Sequence, residues 1–207
     1  MMYSQSMKKA VSSAQSCIDM CCSQQNIAVV SAQYISDLSE FLDILDPSGI
    51  DFTKKGFFSG MKIKKYWEIF SRYYTSVTTL VQKLKQSRIV TENTLTTLRN
   101  EQESYRSKLE EFLSLETEEA DSEYLAQKSI ALNLNSVLDN TVSEYSVLSE
   151  RMKNITEITS DVFENAVLIA RVNYQINIIT DRISLPVGNP DVDSFKRGFE
   201  KLSHLCV

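Results

Sequence analysis

From Met61 to Leu185 the chain runs for 125 residues without a glycine or a proline, so it contains no strong helix breaker. Inside that stretch apolar residues recur in alternating steps of four and three. One series runs Ile63, Trp67, Phe70, Tyr74, Val77, Val81, Leu84, Arg88, Thr91, Leu95, Leu98, Gln102, Tyr105, Leu109, Phe112. Strand alternation would need a period of two, and that period is absent. The spacing predicts a long amphipathic helix over about 61–115, carrying a coiled-coil seam. A second series predicts another helix over about 120–185. It comprises Leu134, Leu138, Thr141, Tyr145, Leu148, Met152, Ile155, Thr159, Val162, Ala166, Ile169, Asn173, Ile176, Thr180 and Ile183. Asn173 sits on this seam, either fixing register or facing a helix end. Ile130, Val137, Val142, Val147, Leu168 and Ile179 lie off it, which predicts a third helix to cover them.

The N-terminal segment supplies that helix. Met7, Val11, Ala14, Ile18, Cys21, Ala28, Ala32, Ile35 and Leu42 keep the same rhythm and predict a helix over about 5–45. The fold expected is all-α: an elongated antiparallel three-helix bundle or coiled coil over residues 1–185, then a tail, 186–207, with one short C-terminal helix. In that helix Phe195, Phe199 and Leu202 share a side, and Gly198 weakens it. It either docks on an end of the bundle or stays loose.

The breakers cluster between the first two helices. Residues 42–60, LDILDPSGIDFTKKGFFSG, hold three of the five glycines and one of the three prolines. Asp46-Pro47-Ser48-Gly49 ends the first helix, and 50–60 is expected as an irregular link. The second corner, ETEEADSE over 116–123, has neither glycine nor proline. It either bends, with its carboxylates near a helix N-terminus, or lets the two long helices fuse into one. PVGNP, 186–190, ends the third helix.

Composition narrows the function classes. The net charge is −5, which argues against a bulk electrostatic footprint for nucleic acid, and no nucleic-acid partner is expected. No apolar run approaches the ~18 residues that would cross a bilayer. The first twenty residues have no continuous apolar core and do not read as a secretory signal. Cys17, Cys21 and Cys22 crowd into a helical segment and Cys206 stands near the other end. That is the pattern of reduced thiols rather than a disulfide framework, and it suggests a cytoplasmic setting. A metal site would need further ligands, and the one histidine, His204, lies in the tail. Gly56 and Gly60 are wrongly spaced for a phosphate loop. The acidic run from Glu110 to Glu123 reads as a solvated face. No catalytic residue, cofactor or metal site is expected.

One local feature departs from the acidic whole. Between Asp51 and Arg72 stand Lys54, Lys55, Lys62, Lys64, Lys65 and Arg72 against Asp51 and Glu68. In the first of two readings, Phe52, Phe57 and Phe58 plug the bundle while the lysines stay in water. In the second, the segment 52–67 docks on an anionic membrane surface or an acidic partner. Its candidate contact residues are then Lys54, Lys55, Phe57, Phe58, Lys62, Lys64, Lys65 and Trp67.

The same region carries a family resemblance. Leu45, Asp46-Pro47, Ile50, Phe52, Gly56-Phe57, Lys65-Tyr66, Phe70, Tyr73 and Glu92-Asn93-Thr94-Leu95 follow one another as in the toxic-anion-resistance family, also called TelA-like or tellurite-resistance proteins. FENAVLIARVNYQINIITDRI, from Phe163, is similar to that family's closing segment. The chain thus resembles a short or divergent member over residues 28–183. The resemblance implies a role in resistance to tellurite or envelope stress and no particular reaction. The function expected is a non-catalytic helical scaffold or adaptor, cytoplasmic or membrane-associated, acting through other proteins or by self-association. The alternative is a peripheral membrane protein using segment 52–67.

Overall fold

The computed structural model describes residues 2–23, 26–52, 57–114, 122–174 and 191–206, and all their regular structure is α-helical. Among the described residues there are five helices: α1 (Met2–Ser23), α2 (Asn26–Leu45), α3 (Phe57–Leu113), α4 (Ser122–Tyr174) and α5 (Val192–Cys206). They divide into two compact units. One comprises Met1–Val29 and Arg88–Glu150, the other Val30–Ser87 and Arg151–Val207.

The long α3 follows its predicted seam closely. Every apolar member from Ile63 to Phe112 is buried, as is Thr91, and the polar members Arg88 and Gln102 are half-buried. Both polar members have partners. Arg88 Nε reaches Glu92 Oε1 at 2.8 Å, and Gln102 Nε2 donates to Asp139 Oδ1 at 2.6 Å. The helix begins at Phe57, earlier than the predicted 61.

Over the first predicted helix the structure describes α1 and α2, with 24–25 outside the described residues, and the buried seam differs in frame between the two. On α2 the buried positions are Ser31, Ile35, Leu38, Leu42 and Leu45, while Ala32 is exposed. The reason is apolar content. A frame that buries Leu38 and Leu45 removes far more hydrocarbon from water than one that buries Ala28 and Ala32.

In the first unit α1 packs against the later part of α3 and the earlier part of α4. Its core joins Met7, Ala14, Ile18 and Cys21 to Leu98, Tyr105, Leu109 and Phe112 and to Ala131, Leu134 and Leu138. The contacts Tyr105 Oη to Ala131 O (2.9 Å), Gln102 to Asp139 and Phe112 to Tyr124 (5.2 Å between ring centres) make α3 and α4 antiparallel. The long helices therefore do not fuse: the chain turns between Leu113 and Ser122, and 115–121 lie outside the described residues. The α1 helix runs parallel to α4, since Lys8 pairs with Glu123 at 3.6 Å and Tyr145 Oη donates to Cys21 O at 3.0 Å.

The second unit is a four-helix rather than a three-helix arrangement. The α2 and α3 helices are antiparallel through Tyr66 Oη to Leu45 O (2.9 Å), Phe41 to Tyr73 (5.5 Å) and Lys83 over the Tyr34 ring (5.1 Å). The fourth member is α5, neither loose nor perched on an end. Asp191 caps it, accepting from the backbone of Asp193 and Ser194 at 3.0 Å each and from Ser194 Oγ at 2.6 Å. Asn165 Nδ2 to Asp191 O (3.0 Å) and Arg151 Nε to Leu205 O (3.3 Å) tie α5 antiparallel to α4 at both of its ends. Phe195, Phe199, Leu202 and Cys206 are buried beneath it. Asn173 and the PVGNP segment fall outside what can be described of side chains and backbone respectively.

Candidate interaction surfaces

The turn after α2 is built as its residue types dictate. Asp46 Oδ1 accepts from Ser48 N at 2.9 Å and Oδ2 from Ser48 Oγ at 2.6 Å, while Ile50 N closes on Pro47 O at 3.1 Å. The chain then carries Phe52 inward, 6% exposed. Its ring meets Tyr66 at 5.4 Å, Trp67 at 5.5 Å and Phe195 at 6.2 Å. For Phe52 the plug reading is therefore the right one.

Trp67 requires a correction. It is fully buried, packed against Tyr66 at 5.0 Å and Phe70 at 5.4 Å, and it presents nothing to a membrane or partner. Its place on the buried seam with Ile63 and Phe70 outweighs its place in a basic sequence segment. Lys62, Lys64 and Lys65 do lie exposed on the opening turns of α3, with Met61, 58% exposed, among them. Lys64 reaches Glu68 at 3.9 Å, a loose pair between two largely exposed side chains and energetically minor. Lys54 and Lys55 fall outside the described residues, as do the side chains of Phe57 and Phe58, although both phenylalanines belong to the first turn of α3.

Each unit carries an open groove among its described residues. In the second unit, ≈ 570 Å³ lies between Asp43 and Asp46 at the end of α2 and Lys196, Arg197, Glu200 and His204 on α5. Much of its polar lining is committed to holding the fold. Asp46 is taken by Ser48, Lys196 Nζ donates to Ile50 O at 2.5 Å beneath the Phe52 ring, and Ser203 Oγ donates to Phe199 O at 3.1 Å. His204, expected in the tail, stands in the last turn of α5. In the first unit a groove of ≈ 490 Å³ is lined by Glu92, Thr96, Arg99, Ser146, Ser149 and Glu150. Arg99 Nη2 lies 3.3 Å from Ser146 Oγ there, and Ser149 Oγ 3.4 Å from Glu92 Oε1. Among the described residues no three histidine, cysteine or acidic side chains are placed to hold a metal ion.

The titrating groups that depart from ordinary behaviour belong mostly to packing. Burial pushes the Cys206 thiol up to about 11, partly offset by Arg151. Burial also pushes the Tyr105 hydroxyl up to about 12. Tyr66 is raised by burial and then by the Asp46 carboxylate, and Cys17 by burial and then by Glu101. These are protonated, unreactive groups near neutrality. Asp191 is lowered chiefly by its hydrogen bonds from Ser194, as an N-cap carboxylate should be. Cys17, Cys21 and Cys206 are free thiols.

One surface escaped the reading of the seams. Ile130, Val137 and Val147 were expected beneath a third helix, yet they are 56%, 45% and 66% exposed. Val142 packs half-buried against the first unit's core, and those three stay outside it. With Leu125 and Leu132 they make an apolar outer face on α4 in the first unit. The signal was present as a second four-three spacing, Leu125, Ser129, Leu132, Ser136, which serines made inconspicuous.

Compared with protein-family models, curated proteins and solved structures, the chain matches none. Among the described residues no helix is long and apolar enough to cross a membrane.

Proposed function

We propose that this chain is a non-catalytic helical scaffold or adaptor that works by offering helix surfaces to other proteins or to itself. The observation that carries this reading is the outer face of α4. Five large apolar side chains stand exposed there within residues 125–147, on a helix whose opposite side is fully engaged in a packed core. Exposed large apolar side chains gathered on one stretch of helix are a feature of association sites. The lining of the groove in the second unit supports the non-catalytic reading, because Asp46, Ser48, Lys196 and Ser203 are occupied with backbone and turn contacts. Free thiols support a reducing, cytoplasmic setting. The likeness of residues 28–183 to the toxic-anion-resistance family supports placing the binding in toxic-anion or envelope-stress resistance.

Affinity capture by the full chain in its native host, with cross-linking and mass spectrometry, tests the reading. Specific proteins, or further copies of the chain, should be recovered by the parent and lost with Leu132→Glu. Recovery of nothing specific, or recovery indifferent to Leu132→Glu, Val137→Glu and Lys62→Glu alike, rejects it.

A second reading has its own observation. Met61 is exposed among Lys62, Lys64 and Lys65 at the start of α3, a combination suited to an anionic lipid surface. Sedimentation with acidic vesicles should then occur, weaken with salt and disappear when Lys54, Lys55, Lys62 and Lys65 are changed to glutamate. Salt-independent or unaltered sedimentation excludes it.

A further inference from the structure

We propose that one turn of α1 in the first unit, carrying Cys17, Met20 and Cys21, is a three-sulfur site for a soft monovalent cation, with Cu(I) the ion its chemistry fits. Cys17 and Cys21 lie within hydrogen-bonding reach of one another along the helix. Met20 follows Cys17 by three residues and Cys21 follows it by four, and positions so spaced are neighbours on a helix surface. Cys21 is buried, Cys17 half-buried and Met20 43% exposed, so the sulfurs step from the core out to the rim of the unit. The unbranched methionine side chain, with its three rotatable bonds, can close over the thiol pair from outside.

The donor set selects the ion. Among the described residues no third histidine, cysteine or acidic side chain joins the two thiols as a ligand. A tetrahedral zinc site is therefore left incomplete, and calcium or magnesium would find no oxygen cage. Thiolate and thioether together are the ligands of Cu(I), which needs only two or three of them. Copper–sulfur bonds take the place of the two thiol protons, which leave to solvent, so the protonated resting state of Cys17 is no obstacle. Glu101 on α3 disfavours a bare thiolate at Cys17. A cation bound to that sulfur cancels the repulsion. Cys21 belongs to the first unit's apolar core and Cys17 packs against it. Such a shell limits the access of water to a reduced metal.

Cu(I) added anaerobically to the reduced full chain, in competition with the chelator bicinchoninate, provides the test. One ion per chain should be withheld from the chelator, and X-ray absorption should show sulfur neighbours only, three of them. Cys17→Ser should weaken binding by about a hundredfold or more, since even a partner outside the ligand sphere is worth about 10–100-fold. Circular dichroism should stay helical in that variant, because Cys17 is only half-buried. Met20→Leu should weaken binding about tenfold and lower the sulfur count from three to two. Cys22→Ser should bind as the parent chain does. Copper fully surrendered to the chelator overturns the proposal. Binding indifferent to Cys17→Ser, or lost as completely with Cys22→Ser, also overturns it. An unchanged affinity and sulfur count in Met20→Leu overturns the three-sulfur site.

Discussion

A Cβ placed on Gly198 would come within 2.7 Å of Val162 Cγ2. That is closer than non-bonded carbons tolerate, and valine is stiff at χ1, so its methyl group cannot swing freely aside. The glycine that counts against α5 on helix propensity is thus what lets α5 lie on α4. Gly198→Ala should gain ~1 kcal/mol of propensity but lose more to overpacking, about 1–3 kcal/mol, for a net destabilisation of the second unit. In a Val162→Ala background the same change should become neutral or stabilising. Denaturant unfolding of the four members of this cycle measures the coupling. A Gly198→Ala protein more stable than its parent would show that the two helices do not approach this closely.

Tyr66 makes a hydrogen bond that few substitutions could replace. Leu45 is the last residue of α2, so its carbonyl has no partner within the helix, and Tyr66 Oη donates to it at 2.9 Å from a buried position. Tyr66→Phe keeps the ring contacts with Phe52 and Trp67 and strands that carbonyl. A loss of about 1–3 kcal/mol is expected in unfolding experiments, against about 0.5 kcal/mol or less for Tyr73→Phe, a half-buried neighbour. Equal effects of the two changes would remove the capping role.

These two cases show where sequence reading succeeds and where it stops. Burial along α3 was legible from Ile63 to Phe112 because a single helix face reports its own periodicity. The frame on α2 was not, since choosing Ser31 over Ala28 and Ala32 as seam members turns on small residues that give almost no hydropathic contrast. The docking of α5 depends on a close approach at Gly198 and on the Asp191 cap, and neither is visible without knowing which helix lies opposite. Trp67 was misplaced for a different reason: its sequence neighbours are lysines, but its neighbours in space, one turn away on α3, are Ile63 and Phe70. The exposed face of α4 could not be recognised from residue types alone, because the sequence does not say that Val142 packs against the core while Val137, on another side of the helix, stays outside it.

In the first unit, Asp139 gathers three donors. Gln102 Nε2 lies at 2.6 Å, Arg106 Nη2 at 2.9 Å and Asn135 Nδ2 at 3.2 Å. Because it is shared, the carboxylate should matter more than any one partner. Asp139→Ala should cost about 1–2 kcal/mol by leaving the half-buried Gln102 amide without its acceptor. Arg106→Ala should cost less than ~1 kcal/mol, since Arg106 and Asp139 are 52% and 36% exposed and salt screens them. Thermal unfolding in low and high salt separates the two contributions. Arg106→Ala proving the costlier change would mean that the ion pair, rather than the amide contact, sets the register there.

Alkaline pH should loosen the fold in a defined window. Cys206 is held up to about 11 and Tyr105 up to about 12 by burial, while burial raises Tyr66 and Tyr74 with help from Asp46 and Glu164 respectively. Each is neutral when protonated, so the folded chain keeps its protons to higher pH than the unfolded chain does. The folded state then binds more protons, and stability must fall as pH rises. The contribution is fully present below the unfolded values, near 9 for the thiol and 10 for the phenols, and is lost as pH climbs towards 11 and 12. Unfolding midpoints should therefore be flat from neutrality to about pH 8.5, where an ordinary thiol begins to ionise, and decline above it. Cys206→Ala should flatten the part of the decline below pH 11 at some cost in packing, whereas Tyr66→Phe should flatten the part above pH 10. A midpoint that does not move across this range in the parent chain would mean that these hydroxyls and this thiol already meet water in the folded protein.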